Sequence, residues 1–332
     1  MKVLRIISGD PPRLDVTTAP TPTPGPRQAL VRIAASGLNR ADLLQLGGHY
    51  QVPSDAPPDI PGLEFAGTIE EVGPECSRAV RGKRVFGLCG GGAHAQFIVS
   101  PEELLMAVPS RLSDVEAAAI PEAFITAHDA LVTQANMEAG ERVLIHAIGS
   151  GVGVAALQLA SAWDCETFGT ARSQSKIDAA MRLSTDPAFR LGHLFACAPD
   201  AFDEQILRLT GGEGVDIILD PVGGAYFERN LNAIAVLGRL VIIATMGGAT
   251  ATLPLPVLMS KRLRLIGTML RTRTLLEKAA ATRAFERDVI PKLVAGDVRP
   301  VIDCTFALEQ AASAYAYLAE NRNFGKVVLT MT

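Results

Sequence analysis

Val143-Leu-Ile-His-Ala-Ile-Gly-Ser-Gly-Val-Gly-Val-Ala-Ala-Leu-Gln-Leu-Ala160 runs an apolar strand into an Ala/Leu helix through a tight glycine-rich turn, Gly149-Ser150-Gly151-Val152-Gly153, with no breaker between them. Small residues at such a turn let the backbone approach a pyrophosphate, and the first amides of the helix then face the anion. The stretch therefore predicts a dinucleotide loop. The usual Gly-x-Gly-x-x-Gly spacing is not matched, because Ile148 and Ser150 stand at the first two glycine positions and only Gly153 fits. Ser150 needs its own explanation, and its hydroxyl suits a phosphate or a nicotinamide carboxamide.

On both sides of this loop the chain alternates helix-like, Ala-rich stretches with continuous apolar runs at 142–146, 166–170, 216–219, 239–244 and 263–267. Apolar runs bounded by helices read as parallel strands buried on both faces, so a doubly wound α/β sheet is predicted. The strand 165–170 ends in Ala171-Arg-Ser-Gln-Ser-Lys176. An acid at that strand end would hold the ribose 2′-hydroxyl of NAD. Here Arg172, Ser173 and Lys176 offer a guanidinium, hydroxyls and an ammonium for a 2′-phosphate, which favours NADPH.

Before this region lie short β-like runs at 3–7, 29–34, 65–72, 84–88 and 95–99, set apart by Pro- and Gly-rich turns. They predict an irregular, mostly-β domain, a partly open barrel. After it come one helix-like span over 272–295, another over 308–321 and a closing strand at 326–329. The expected organisation is a mostly-β domain over 1–119, a Rossmann domain over 120–270 and a return to the first domain over 271–332.

At 332 residues the chain exceeds what one hydrophobic core usually supports. It is 48% hydrophobic and 20% charged, the composition of an ordered globular protein. A net charge of −4 supplies no basic field for nucleic acid or an anionic membrane, so small molecules are the expected partners. No apolar stretch is long enough for a membrane span, and the N-terminus is too short and charged for a signal segment. A cytoplasmic protein is expected. Cys76, Cys89, Cys165, Cys197 and Cys304 are scattered without a Cys-x-x-Cys spacing, which argues for reduced thiols over disulfides or a zinc knuckle. His146 reads as a satisfied core histidine, and His49, His94, His128 and His193 show no metal-site spacing.

Gly37-Leu-Asn-Arg-Ala-Asp-Leu43, Gly48-His-Tyr50, Gly62-Leu-Glu-Phe-Ala-Gly67, Ala118-Ala-Ile-Pro-Glu122, Ser150-Gly-Val-Gly153, Asp220 with Gly223-Gly224, and Asn321-Arg-Asn-Phe-Gly-Lys326 run nearly end to end. Through them the chain resembles the zinc-independent, zeta-crystallin-like quinone oxidoreductase branch of the medium-chain dehydrogenase/reductases. The resemblance implies a GroES-like catalytic domain beside the Rossmann domain. It also implies hydride transfer from NADPH to a quinone or related conjugated carbonyl, and a homodimer paired through the sheet edge at 263–267. Zinc-dependent members carry cysteine where Asn39 stands and Gly-His-Glu where Gly62-Leu63-Glu64 stands. Asn39 and Leu63 cannot replace the thiolate and imidazole that zinc prefers, so no metal is expected.

The implied catalytic residues are Tyr50, Ser150 and Asn39, with Tyr50 lining the cleft and Asn39 anchoring a substrate carbonyl or the cofactor. The implied cofactor contacts are Tyr50, Ser150, Gly151, Val152, Gly153 and Lys176, then Thr245, Met246, Met269, Leu270, Arg271 and Asn323. One departure falls at 183–191, where a phosphate contact common in the family is missing and Arg172 is expected in its place. Two further readings remain open at this point: an enoyl or enone reductase, and an NADPH-binding protein with little turnover.

Overall fold

The computed structural model describes residues 1–183, 193–196 and 201–331, with only the backbone considered at His193, Phe195 and Ala196. Cys197 and nearly all of the departure at 183–191 lie outside the described residues. The chain forms two compact units: Met1–Ile125, Leu270–Ala295 and Arg299–Thr332 make the first, and Thr126–Met269 with Gly296–Val298 the second.

The first unit is mostly β. Strands β1 (Lys2–Ile7) and β2 (Arg13–Thr18) form a ribbon. A larger sheet contains β3 (Gln28–Leu38), β4 (Glu64–Val72), β5 (Arg84–Leu88), β6 (Phe97–Pro101) and β7 (Leu105–Ala107), joined from the C-terminal segment by β14 (Ile302–Ala307) and β15 (Lys326–Thr330). Its order is β14-β15-β3-β4-β5-β7, with β6 also paired to β3. The long β3 serves three partners because its register against β4 shifts at Leu30/Val31 and Ile33/Ala35. Such irregularities bend a strand and let a sheet curl towards a barrel. Val31, Ile33, Phe65, Ile69, Val85 and Ile98 fill the interior. Helices α1 (Arg40–Leu46), α2 (Asp114–Ala118), α9 (Leu275–Asp288), α10 (Ile290–Ala295) and α11 (Ala311–Ala319) complete this unit, and α3 (Pro121–His128) carries the chain out of it. The single helix expected over 272–295 is two. The first ends at Asp288, and Pro291, which cannot donate a backbone hydrogen bond, opens the second.

The second unit is a six-stranded parallel sheet of β8 (Arg142–Ile145), β9 (Glu166–Ala171), β10 (His193–Ala196), β11 (Val215–Asp220), β12 (Ile234–Ile242) and β13 (Arg264–Gly267). It is crossed by α4 (Gly151–Ala162), α5 (Gln174–Leu183), α6 (Phe202–Leu209), α7 (Gly224–Ala233) and α8 (Leu255–Lys261). The strand order β10-β9-β8-β11-β12-β13 reverses direction between β8 and β11. That is the 3-2-1-4-5-6 order of dinucleotide-binding sheets, whose ligand lies beyond the carboxyl ends of the strands at the reversal. Val143, Leu144, Ile145, Ile217 and Ile218 are wholly buried, as strands covered on both faces must be. Every residue from Gly153 to Ser161 on α4 is buried, which explains its Ala/Leu sequence. The expected fold class, a GroES-like mostly-β domain and a doubly wound Rossmann domain, is borne out.

Candidate functional site

In the second unit the loop after β8 shows what Ser150 does. Ser150 is the N-cap of α4, and its Oγ accepts the Gly153 amide at 3.0 Å. An N-cap needs an oxygen acceptor, which glycine lacks, and the hydroxyl hydrogen stays available to donate. A Cβ on Gly153 would lie 2.4 Å from the Ala147 carbonyl oxygen, so only glycine lets α4 approach the strand. A Cβ on Gly149 would meet Lys176 Cδ at 2.6 Å, which places the lysine stem across the loop. Beyond β9, Arg172 is exposed and has no hydrogen bond or ion pair among the described residues. Ser173 Oγ lies 3.1 Å from Ser175 Oγ.

The other residues expected at this end follow the same logic. Thr245 and Met246 come just after β12 and are exposed, with the Met246 amide bonded to the Pro221 carbonyl. Met269 follows β13 and is also exposed. All therefore lie at the carboxyl ends of parallel strands, with Ser150 to Gly153. His146 is a core histidine: its ring nitrogens lie 2.8 Å from Thr170 Oγ1 and 2.8 Å from Asn230 Oδ1. Asn230 in turn donates to Asp220, whose other oxygen accepts the Val222 and Gly223 amides. Burial lowers the His146 pKa to about 4 and raises that of Asp220 to about 6. This buried chain ties the end of β9 to the loop after β11.

In the first unit the polar residues converge on Glu64, whose side chain is fully buried. Lys326 Nζ donates to Glu64 Oε1 at 2.6 Å, to Asn39 Oδ1 at 2.5 Å and to the Leu38 carbonyl at 2.9 Å. Asn39 Nδ2 donates to the same Glu64 oxygen at 2.9 Å, and the Glu122 amide donates to the other at 2.7 Å. Gly37 makes room for this carboxylate, since a Cβ there would lie 2.2 Å from Glu64 Oε1. Asn39, expected to anchor a substrate carbonyl or the cofactor, directs the two ends of its amide to Glu64 and Lys326 and N-caps α1. Asp42 accepts the Asn39 and Gly62 amides, and burial raises its pKa to about 6. His94, bonded to Ser36 Oγ, is held neutral by burial, with a pKa near 3.

Beside this cluster the Arg271 guanidinium stacks over the Tyr50 ring, 4.5 Å from its centroid. Arg271 also donates to Gln45 Oε1 at 2.7 Å and to the Gly90 carbonyl at 3.0 Å, while its Nη1 is buried without a hydrogen-bond partner among the described residues. Arg271 thus positions Tyr50. Burial, then the charge of Glu122, pushes the Tyr50 phenol up to about 12, so it remains a hydrogen-bond donor at neutral pH. Burial and the neighbouring Glu64 raise the half-buried Glu122 carboxyl to about 8. Leu270 and Asn323 are buried in this unit, and Asn323 Nδ2 closes a local turn on the Gly325 carbonyl. Among the described residues no group of three or more His, Cys, Asp or Glu side chains is arranged to hold a metal.

Two family descriptions match this chain: "Alcohol dehydrogenase GroES-like domain" over residues 25–110 and "Zinc-binding dehydrogenase" over residues 151–286. The crystal structure of an alcohol dehydrogenase superfamily protein from Novosphingobium aromaticivorans is 30% identical and superposes with a TM-score of 0.87, covering 100% of both chains. The chain belongs to the alcohol dehydrogenase superfamily, the medium-chain dehydrogenase/reductases. Quinone oxidoreductase-like protein 2 of Bos taurus is 28% identical over 313 residues, 94% of this chain and 87% of that protein. The CurK enoyl reductase structure is 28% identical with a TM-score of 0.83, covering 100% and 99% of the two chains. Spectinabilin polyketide synthase system protein NorB of Streptomyces orinoci is 34% identical over 323 residues; these are 96% of this chain but span only 14% of that protein.

Membership in this superfamily of oxidoreductases brings a nicotinamide cofactor, and the loop fits one: Gly153 permits the close approach, Ser150 keeps a hydrogen to donate, and the Arg172 guanidinium has no partner among the described residues. What sequence reasoning missed is the grouping of Asp42, Glu64, Glu122 and Lys326. Each lies inside a quoted motif, yet Glu122 after Pro121 reads as an ordinary acidic helix start and Lys326 as an ordinary strand lysine. Only the fold brings them together.

Proposed function

We propose that this medium-chain reductase passes hydride from NADPH to a quinone or a related conjugated carbonyl without zinc. The observation that carries the proposal is the internal cation. Lys326 already neutralises the Glu64 carboxylate, and the neighbouring positions hold Asn39, whose amide is engaged, and Leu63, which has no donor atom. A zinc ion would have to displace the ammonium and would find neither thiolate nor imidazole, so the donor set does not fit the metal. A conjugated acceptor needs no Lewis acid of that strength, because the charge left by hydride addition spreads into the carbonyl or ring. NADPH, when bound, supplies the hydride. Tyr50, held by Arg271 and protonated at neutral pH, donates a hydrogen bond to the acceptor oxygen; Glu122 retains a proton that can follow. Ser150 donates its free hydrogen to the cofactor, and Arg172, Ser173 and Lys176 take the 2′-phosphate.

A second reading, enoyl reduction on a conjugated thioester, is favoured by the similarity to the CurK enoyl reductase. The same residues serve it, because the carbonyl oxygen again takes up charge. We also propose a homodimer. β13 is an edge strand, and the adjoining α8 buries none of its residues while exposing Leu255 and Met259. Cys76, Cys89, Cys165 and Cys304 are free thiols, in keeping with a cytoplasmic protein. No helix among the described residues is long and apolar enough to cross a membrane.

The test is NADPH oxidation with a panel of quinones, enones and an enoyl thioester, alongside NADH, a chelator and Tyr50→Phe. Chelator-resistant quinone turnover that prefers NADPH supports the first reading. Turnover of the thioester alone supports the second. Tight NADPH binding without turnover of any acceptor refutes both.

A further inference from the structure

The first unit contains a cavity of about 460 Å3 that takes no part in the reading above. Its walls include Ile60, Leu88, Phe97, Leu104 and Leu275, with the glycine run Gly90 to Gly92 on one side. Neither Tyr50, Glu64 nor Lys326 lines it. One cation does. Lys278 is only 7% exposed and lies on the buried stripe of α9 with Ala281, Thr282 and Phe285, where helix spacing calls for apolar residues. Its ammonium makes no hydrogen bond or ion pair among the described residues. The one acidic residue in the lining, Asp55, is exposed and forms no ion pair with it.

Two features therefore meet at Lys278. Most of its side chain is buried, and its ammonium has no counter-ion among the described residues. It also stands in the first turns of a helix whose start is capped by Thr274 and Glu277, where the backbone dipole disfavours positive charge and favours an anion. An anionic head on Lys278 supplies the counter-ion it lacks, and apolar walls in a cavity of ordinary ligand size suit an apolar body.

We propose that this cavity binds a small monocarboxylate with an aliphatic body, its carboxylate on Lys278 and its chain against Ile60, Leu88 and Leu275. The site is separate from the hydride-transfer residues, and its occupant does not depend on which acceptor the enzyme reduces.

The test is calorimetric titration of the full-length, cofactor-free protein with decanoate and with decanol, in the wild type, Lys278→Met and Ile60→Trp. Losing a charge-assisted hydrogen bond should weaken decanoate binding by roughly tenfold to a hundredfold in Lys278→Met. Decanol should bind the wild type at least about tenfold more weakly than decanoate does and should not distinguish Lys278→Met from the wild type. Ile60→Trp fills the cavity while keeping the ammonium, and should also lose decanoate. No decanoate binding to the wild type would overturn the proposal and leave a water-filled void; equal binding to wild type and Lys278→Met would overturn it too. Neither readout uses turnover, so failure here leaves the reductase reading standing.

Discussion

Replacing Lys326 with methionine tests the internal cation directly. The side chain keeps its length and apolar stem but loses three donated hydrogen bonds, to Glu64, Asn39 and the Leu38 carbonyl. Glu64 then keeps only the Asn39 and Glu122 donors for a fully buried carboxylate, with two more acids, Asp42 and Glu122, nearby. Removing one partner of a buried ion pair costs about 3–5 kcal/mol, because the remaining charge stays out of water. At about 2–4 °C per kcal/mol for a domain of this size, that is a fall of roughly 6–20 °C in the melting temperature of the first unit. Trp163, the protein's one tryptophan, belongs to the second unit, so its fluorescence would miss the effect. Hydrogen exchange of β3 and β15 peptides is the suitable probe, with far-UV circular dichroism for the global transition. Adding Glu64→Gln should recover at least about 2 kcal/mol, because it removes the stranded charge. If Lys326→Met stays within about 1 kcal/mol of the wild type, or Glu64→Gln recovers nothing, the ammonium is not the counter-ion the site depends on.

Other perturbations separate the remaining parts of the argument. Arg172→Ala should weaken NADPH binding by roughly tenfold or more, with NADH unchanged, and equal losses for both cofactors would remove the phosphate role. Gly153→Ala forces a methyl against the Ala147 carbonyl, so it should cost about 1–3 kcal/mol and weaken both cofactors together in equilibrium binding. For Glu122 the folded carboxyl keeps its proton to about pH 8, whereas the unfolded one loses it near the ordinary glutamate value of 4.5. The folded state therefore binds more protons in that window, and stability falls as pH rises through it. Asp42, raised to about 6, acts in the same direction. Glu122→Gln should flatten the decline between pH 5 and 8 in denaturant titrations, and an unchanged slope would assign it elsewhere.

Much of the fold was legible because it rests on periodicity and on one loop. Apolar runs between helices can be satisfied only by a sheet covered on both faces, and the 143–160 stretch shows where that sheet turns to meet a ligand. Ser150 was legible as an exception and became intelligible only as an N-cap. Other elements escaped for physical reasons. β2, β7 and β14 are short or half-exposed strands, so their local patterns are weak. The hydrogen bonds of Asn39 were not legible because the sequence shows the residue but not the acceptor and donor that engage the two ends of its amide.

The polar cluster of the first unit depends most on what a sequence hides, which is register. Lys326 opens β15, and the pairing Val327 with Leu38 and Val328 with Gly37 fixes which face each residue presents. Side chains alternate along a strand, so a slip of one residue would turn the ammonium away from Glu64 and present Val327 to it. Val327 to Leu329 are wholly buried on both sides, which makes that slip costly on the opposite face as well. The same β3 that pairs with β15 ends at Leu38, whose carbonyl accepts from Lys326, and is followed at once by Asn39, which caps α1 and accepts from Lys326 too. A single register thus sets the cation, the cap and the buried carboxylate together. A substitution that loosens β15 far from Tyr50 should therefore alter the electrostatics around Glu64 before it unfolds the sheet.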